Sequence, residues 1–305
     1  MAATQADRVR LGGIIPPIVT PFTRDGAIDF DVFRREVRHI LACGVHGLSP
    51  GGSTGEGAAL TNDELVRLVQ IAREEAGPSL PIVAGVIRTS THEAIRTALA
   101  ARDAGADALM VTPVFYNVLV PDDAGNEQFY RTLSDGVGLP IVAYNVIPQN
   151  EIRPELFARL LDIEHVIGIK QSVGGVTGFY EMKQAVGPRA LVYSATDEML
   201  YSTFALGADG AISAILSLLP KSCVAMWDLT RAGDHDGARA IQDELFPVWK
   251  AVRGNQFPAR MKAALAAMGR DCGFPRSPMT MPDEAYVARI GQLLRDVGED
   301  RRTKV

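Results

Sequence analysis

Cysteine is scarce in this chain of 305 residues. The three present, Cys43, Cys223 and Cys272, lie far apart and form no Cys-x-x-Cys pair. That excludes a disulfide framework and reads as a reducing compartment. No apolar run approaches the ~20 residues that span a bilayer. Met1 to Arg10 holds no apolar core of signal-peptide length. The expectation is a cytoplasmic protein with no membrane partner. Runs of Lys or Arg are also missing, against a net charge of -5, and without clustered positive charge no nucleic-acid partner is expected. No Gly-Lys-Ser/Thr phosphate loop occurs, and no Gly-x-Gly-x-x-Gly turn follows an early strand. The five histidines, His39, His46, His92, His165 and His235, show no ligand spacing, so no metal is expected.

Hydrophobic residues make up 47% and charged residues 22%, enough for a sizeable core. Eight short runs rich in Val and Ile punctuate the chain: Gly13-Thr20, Val45-Pro50, Pro81-Val86, Ala106-Pro113, Pro140-Val146, Val166-Ser172, Ala190-Thr196 and Gly210-Ala214. Each is apolar on both faces, as parallel strands covered on both sides require. Amphipathic stretches lie between them, with helix starts at Thr61-Asn62-Asp63-Glu64 and Thr89-Ser90-Thr91-His92-Glu93. The alternation predicts an α/β fold, a (β/α)8 TIM barrel, followed by a C-terminal helical extension. The expected division is a tail over residues 1–11, a barrel over 12–232 and a helical region over 233–305.

The candidates for chemistry begin with lysine. Only six are present: Lys170, Lys183, Lys221, Lys250, Lys262 and Lys304. Five fall in helical or terminal contexts and read as solvated charges. Lys170 ends the sixth apolar run, which in a barrel is the catalytic face. Burial there favours the uncharged amine, the form that attacks a carbonyl to make a Schiff base. The alternative is a strand-end lysine that reaches solvent or pairs with a carboxylate.

After the second run comes Pro50-Gly51-Gly52-Ser53-Thr54-Gly55-Glu56-Gly57. Its glycines allow close backbone approach, and two adjacent hydroxyls with free N–H groups suit a small carboxylate. The alternative is a plain tight turn. Tyr144 ends the fifth run, where its hydroxyl either shuttles protons or its ring only packs. Tyr116, after the fourth run, is a second relay hydroxyl or an ordinary loop aromatic.

Taken together, these segments resemble the dihydrodipicolinate synthase / N-acetylneuraminate lyase family. The resemblance runs from Gly13-Ile14-Ile15-Pro16-Pro17 through Gly52-Ser53-Thr54-Gly55-Glu56, Val111-Thr112-Pro113 and Tyr144-Asn145-Val146 to Gly168-Ile169-Lys170. It implies a class I lyase that forms a lysine Schiff base with pyruvate or another 2-oxo acid. No cofactor is implied beyond that covalent imine. The assembly implied is a homotetramer or homodimer. Lys170 is then the Schiff-base lysine, Tyr144 the proton-relay phenol and Ser53 the relay hydroxyl. Thr54, with Gly52 and Gly55 around it, belongs to the carboxylate grip. Ile212 occupies a position whose backbone faces the bound oxo acid.

Three departures matter. Synthases of this family carry an arginine shortly after Tyr-Asn-Val-Pro, whereas this chain reads Tyr144-Asn145-Val146-Ile147-Pro148-Gln149-Asn150. Synthases commonly have Glu after the lysine, and here it is Gln171. The family's Thr-Pro-Tyr-Tyr-Asn becomes Thr112-Pro113-Val114-Phe115-Tyr116-Asn117, so the relay position falls on Phe115 without a gap and on Tyr116 with one; the gapped match also aligns Asn117 and makes Tyr116 the expected relay residue. The expectation is a sugar-acid aldolase or dehydratase, its hydroxylated substrate met by the amides of Gln149 and Asn150. Alternatives are a true 4-hydroxy-tetrahydrodipicolinate synthase, a cyclic imino acid deaminase and a binder of 2-oxo acids without turnover.

Overall fold

The computed structural model describes residues 4–117, 119–299 and 302. Seven parallel strands form one curled sheet: β1 Gly13–Ile14, β2 Val83–Val86, β3 Ala108–Val111, β4 Ile141–Asn145, β5 Val166–Gln171, β6 Leu191–Ser194 and β7 Gly210–Ala211. Their order is β1-β7-β6-β5-β4-β3-β2. The gap between β1 and β2 is filled by the second apolar run, which pairs through isolated parallel bridges, Pro17 with Ser49 and Leu48 with Ile82. The His46 N–H donates to Ile14 O at 2.8 Å, and the Val83 N–H donates to Leu48 O at 2.8 Å. The barrel therefore closes through eight segments, although only seven form continuous ladders. Pro16, Pro17 and Pro81 have no N–H to give, so the ladder at this seam is interrupted.

Strand alternation explains what faces inward. Ala108, Met110, Val142, Tyr144, Leu191 and Tyr193 pack in a cluster inside the barrel. Their neighbours Leu109, Val111, Ile141, Ala143 and Val192 pack outward against the helices. The helix Gln5–Leu11 precedes β1. Leu11 joins the inner cluster, and its carbonyl accepts a hydrogen bond from the Tyr193 hydroxyl at 2.6 Å.

The helix starts read from sequence are present. Thr61 and Glu64 make a reciprocal capping box on Asn62–Ala76, and the Ser90 side chain caps Thr91–Asp103. After β7 the chain is helical over Ile215–Leu218, Pro220–Ala232, His235–Val252, Phe257–Ala267 and Glu284–Asp296. Lys262, read as a solvated charge, is instead fully buried. Its Nζ donates to Glu56 Oε1 at 2.7 Å and to the Phe274 carbonyl. Burial lowers the Lys262 pKa, a shift opposed by the charge of Glu56. The glycine-rich segment is thus tied to the helix Phe257–Ala267.

Candidate active site

Register puts Tyr144 of β4 directly beside Lys170 of β5. Both lie near the C-terminal ends of their strands, and both are buried. Lys170 Nζ lies 3.8 Å from the centroid of the Tyr144 ring. Among the described residues it makes no ion pair and no hydrogen bond.

The Tyr144 hydroxyl is 3.2 Å from Ser53 Oγ, either oxygen being able to donate. Ser53 opens a short 3-10 turn, Ser53–Gly55. The N–H groups of Gly55 and Glu56 close that turn onto Gly52 O and Ser53 O. Those of Ser53 and Thr54, at its start, have no carbonyl within the turn to meet. Thr54 is buried. A Cβ on Gly55 would stand 2.6 Å from Ile18 O, and one on Gly57 would overlap Gly51 O. Glycine is therefore required at both positions for steric reasons.

Two buried amides support the strand ends, and the sequence reading assigned them no such part. The Asn145 side chain donates to Gln171 Oε1 at 3.0 Å and to Ile152 O at 2.9 Å, and accepts from the Ile152 N–H at 2.9 Å. Gln171 Nε2 then donates to Val173 O at 2.8 Å. Each residue follows a site residue in sequence, so the lock fixes the backbone from which Tyr144 and Lys170 project. It also gives Gln171 a structural reason: an amide both accepts from Asn145 and donates to Val173, which an ionised carboxylate cannot do.

At the seventh run, Asp197 is buried and accepts at Oδ1 from the Ile215 N–H at 2.7 Å and from the Ser213 hydroxyl. Burial raises its pKa to about 6, the bonds to Ser213 and Ile215 and the charge of Lys170 opposing the shift. Ile212 is buried inside the barrel. Its N–H is committed to Ser194 O at 3.1 Å.

Tyr116 is not brought to this group. It is 69% exposed and bridges Leu119, and the left-handed Asn117 (φ 53°) turns the loop outward. Phe115 instead lines a cleft of about 600 Å3 that also touches Ser53 and Thr112. Nor do the loop amides meet the cleft. Gln149 is exposed. Asn150 is buried, exchanging hydrogen bonds with Asn126 and donating to Val114 O at 2.8 Å. Arg153 points to the surface, 3.2 Å from both oxygens of Asp123. Among the described residues, no three of His, Cys, Asp and Glu gather where they could hold a metal ion, and no helix is long and apolar enough to cross a membrane.

Residues 10–296 match the model of the dihydrodipicolinate synthetase family. The chain belongs to that family. A 4-hydroxy-tetrahydrodipicolinate synthase of Methylobacterium radiotolerans is 35% identical over 297 residues, covering 97% of this chain and 98% of that one. Among solved structures, the chloride-inhibited dihydrodipicolinate synthase of Acinetobacter baumannii, complexed with pyruvate, aligns with TM-score 0.89 and 30% identity over 94% of this chain and 99% of that one. CdNal of Clostridium difficile, in complex with mannosamine, aligns with TM-score 0.86 and 26% identity over 93% and 98%. The fold is accordingly the (β/α)8 barrel with a C-terminal helical region that the strand count predicts. Like other members of the dihydrodipicolinate synthetase family, the protein is a lyase of the aldolase type.

Proposed function

We propose that the protein is a class I lyase acting on pyruvate or another 2-oxo acid, with Lys170 as the Schiff-base amine. The observation that carries this reading is the grouping of Lys170, Tyr144 and Ser53 in the barrel mouth, with Nζ 3.8 Å from the tyrosine ring and the two hydroxyls 3.2 Å apart. The amine adds to the C2 carbonyl, water leaves, and the imine becomes the electron sink for making or breaking the bond at C3. The Ser53–Tyr144 pair relays the protons. The N–H groups of Ser53 and Thr54, with the Thr54 hydroxyl, hold the substrate carboxylate in the turn shaped by Gly52 and Gly55. Ile212 supplies the opposite wall through its backbone. No cofactor enters beyond the covalent imine. The homotetramer or homodimer implied by the resemblance belongs to the same proposal. It is supported by two large side chains exposed on one loop, Tyr116 and Leu119.

The test is trapping. Pyruvate with borohydride is expected to inactivate the protein and to place a reduced adduct on Lys170 in peptide mapping. An adduct elsewhere, or none under conditions that trap another family member, overturns the mechanism.

A second reading, a true 4-hydroxy-tetrahydrodipicolinate synthase, is favoured by the name of the Methylobacterium relative. The site speaks against it. A substrate carboxylate needs a charge-assisted partner, best the bidentate fork of arginine. Arg153, the arginine next after Tyr144, is turned to Asp123 at the surface. The sugar-acid reading loses its support as well, because Asn150 spends its amide inside the protein.

A further inference from the structure

The cleft meets the Lys170, Tyr144 and Ser53 group at Ser53, the one of the three that lines it. Much of its wall is apolar: Ala58, Ile87, Phe115, Val146, Ile147 and Met279. Two charged residues also line it, Glu56 and Arg276, and both are committed elsewhere. The terminal nitrogens of Arg276 make four hydrogen bonds. Nη1 donates to Ala59 O at 2.7 Å and to Glu64 Oε2 at 2.8 Å. Nη2 donates to Gly26 O at 2.7 Å and to Glu64 Oε1 at 2.5 Å. Glu56 accepts from Lys262 Nζ at 2.7 Å and from the Arg276 N–H at 2.9 Å. A second carboxylate on the substrate would thus meet no uncommitted cation among the described lining residues. A polyhydroxylated chain would exchange water for aliphatic and aromatic carbon. One polar atom stands apart. Thr112 is 1% exposed, lines the cleft, and its Oγ1 has no hydrogen-bond partner. That oxygen is itself sealed off, so it offers the hydroxyls of a polyol no partner.

We propose that the partner of pyruvate in this site is an apolar aldehyde, aryl rather than hydroxylated or carboxylated. This rests on the Schiff-base reading and adds the substrate class to it. In the cleavage direction, the Lys170 amine condenses with C2 of a 4-aryl-4-hydroxy-2-oxo acid and releases water. The C4 hydroxyl gives its proton to the Ser53–Tyr144 relay, which gave one up when water left and later returns this one to C3; the C3–C4 bond breaks, and its electron pair passes into the imine as an enamine. The arylaldehyde departs, the enamine takes a proton at C3, and water hydrolyses the imine to pyruvate and free lysine. The aryl ring lies among Phe115, Ile147 and Met279, side chains that favour aromatic contact.

The experiment measures pyruvate consumption with benzaldehyde, D-glyceraldehyde and succinic semialdehyde, alongside borohydride labelling with pyruvate alone. A hydrophobic pocket discriminates by about tenfold or more per methylene-sized mismatch. The expected kcat/KM with benzaldehyde is therefore at least tenfold above the other two. In Ile147→Asn that preference falls at least fivefold while the Lys170 label persists. A label on Lys170 with equal or better use of glyceraldehyde or the semialdehyde overturns the apolar assignment alone. So does a label with no aldehyde consumed, or a preference unmoved in Ile147→Asn. Loss of the label in the unsubstituted protein overturns the Schiff-base reading, and this inference with it.

Discussion

Tyr144 and Lys170 stand side by side on adjacent parallel strands, and the lysine nitrogen rests over the tyrosine ring while the tyrosine hydroxyl reaches Ser53. Ring and hydroxyl can therefore be tested apart. Tyr144→Phe keeps the surface against which Lys170 packs and removes only the oxygen. Borohydride labelling with pyruvate is expected to survive, and turnover to fall by about 10²–10⁴-fold. A turnover number within threefold of the unsubstituted protein would assign Tyr144 to packing alone.

Glu56→Gln addresses the tether beneath the glycine-rich turn. The substitution leaves the buried Lys262 without its counter-charge, and breaking such a pair costs about 3–5 kcal/mol. The midpoint of chemical denaturation is expected to fall accordingly. Adding Lys262→Met should recover part of the loss, because the buried charge is then gone. A double variant no more stable than Glu56→Gln would show that the charge itself is not the source of the penalty.

Asp197 gives a pH signature. Its folded pKa is raised from 3.8 to about 6. The folded state therefore holds the proton more tightly than the unfolded chain does. The associated stability is fully present below about pH 4 and is lost as pH rises through about 6. Asn at this position carries no such charge, and its oxygen can still accept from Ser213 and Ile215. Asp197→Asn should thus gain on the unsubstituted protein between pH 4 and pH 7.5, by up to about 3 kcal/mol. Denaturation curves at the two pH values check this. A difference between the proteins that does not vary with pH would falsify the assignment, whatever its size.

Arg153→Ala is expected to leave kcat/KM for any pyruvate-dependent reaction within twofold. The side chain is exposed and its ion pair with Asp123 is of the surface kind, worth little. A loss of tenfold or more with a carboxylated aldehyde would restore the missing synthase arginine to this position.

The barrel was legible because strands covered on both faces need unbroken apolar runs, and eight such runs recur at the spacing of strand–helix units. Lys170 stands out because a lysine ending such a run is costly unless paired or used, whereas the run alone leaves Tyr144 open between relay and packing, and the family resemblance supplies both proposed roles. The second run was harder, because prolines along the seam reduce its pairing to bridges. Lys262 was misread as solvated. Its partner Glu56 lies 206 positions away in sequence, beyond any local pattern. The one local hint was the apolar company of Met261, Ala263, Ala264 and Leu265. Asn150 was misread for a related reason. The sequence shows an amide in a loop beside the site but not that Asn126 and the Val114 carbonyl wait behind it. Asp197 drew no notice and Thr112 only as part of a family motif, since their burial depends on the closed barrel.

The pairing of Glu56 with Lys262 and Arg276 also orders events during translation. The segment bearing Ser53 and Thr54 is made early, whereas its two anchors lie 206 and 220 positions later. Contacts so distant in sequence carry a large loop-closure cost and cannot form before both segments have been made. When every strand has left the ribosome, the glycine-rich turn still lacks both partners of its Glu56. A chain that ends before Phe257 lacks both partners of Glu56.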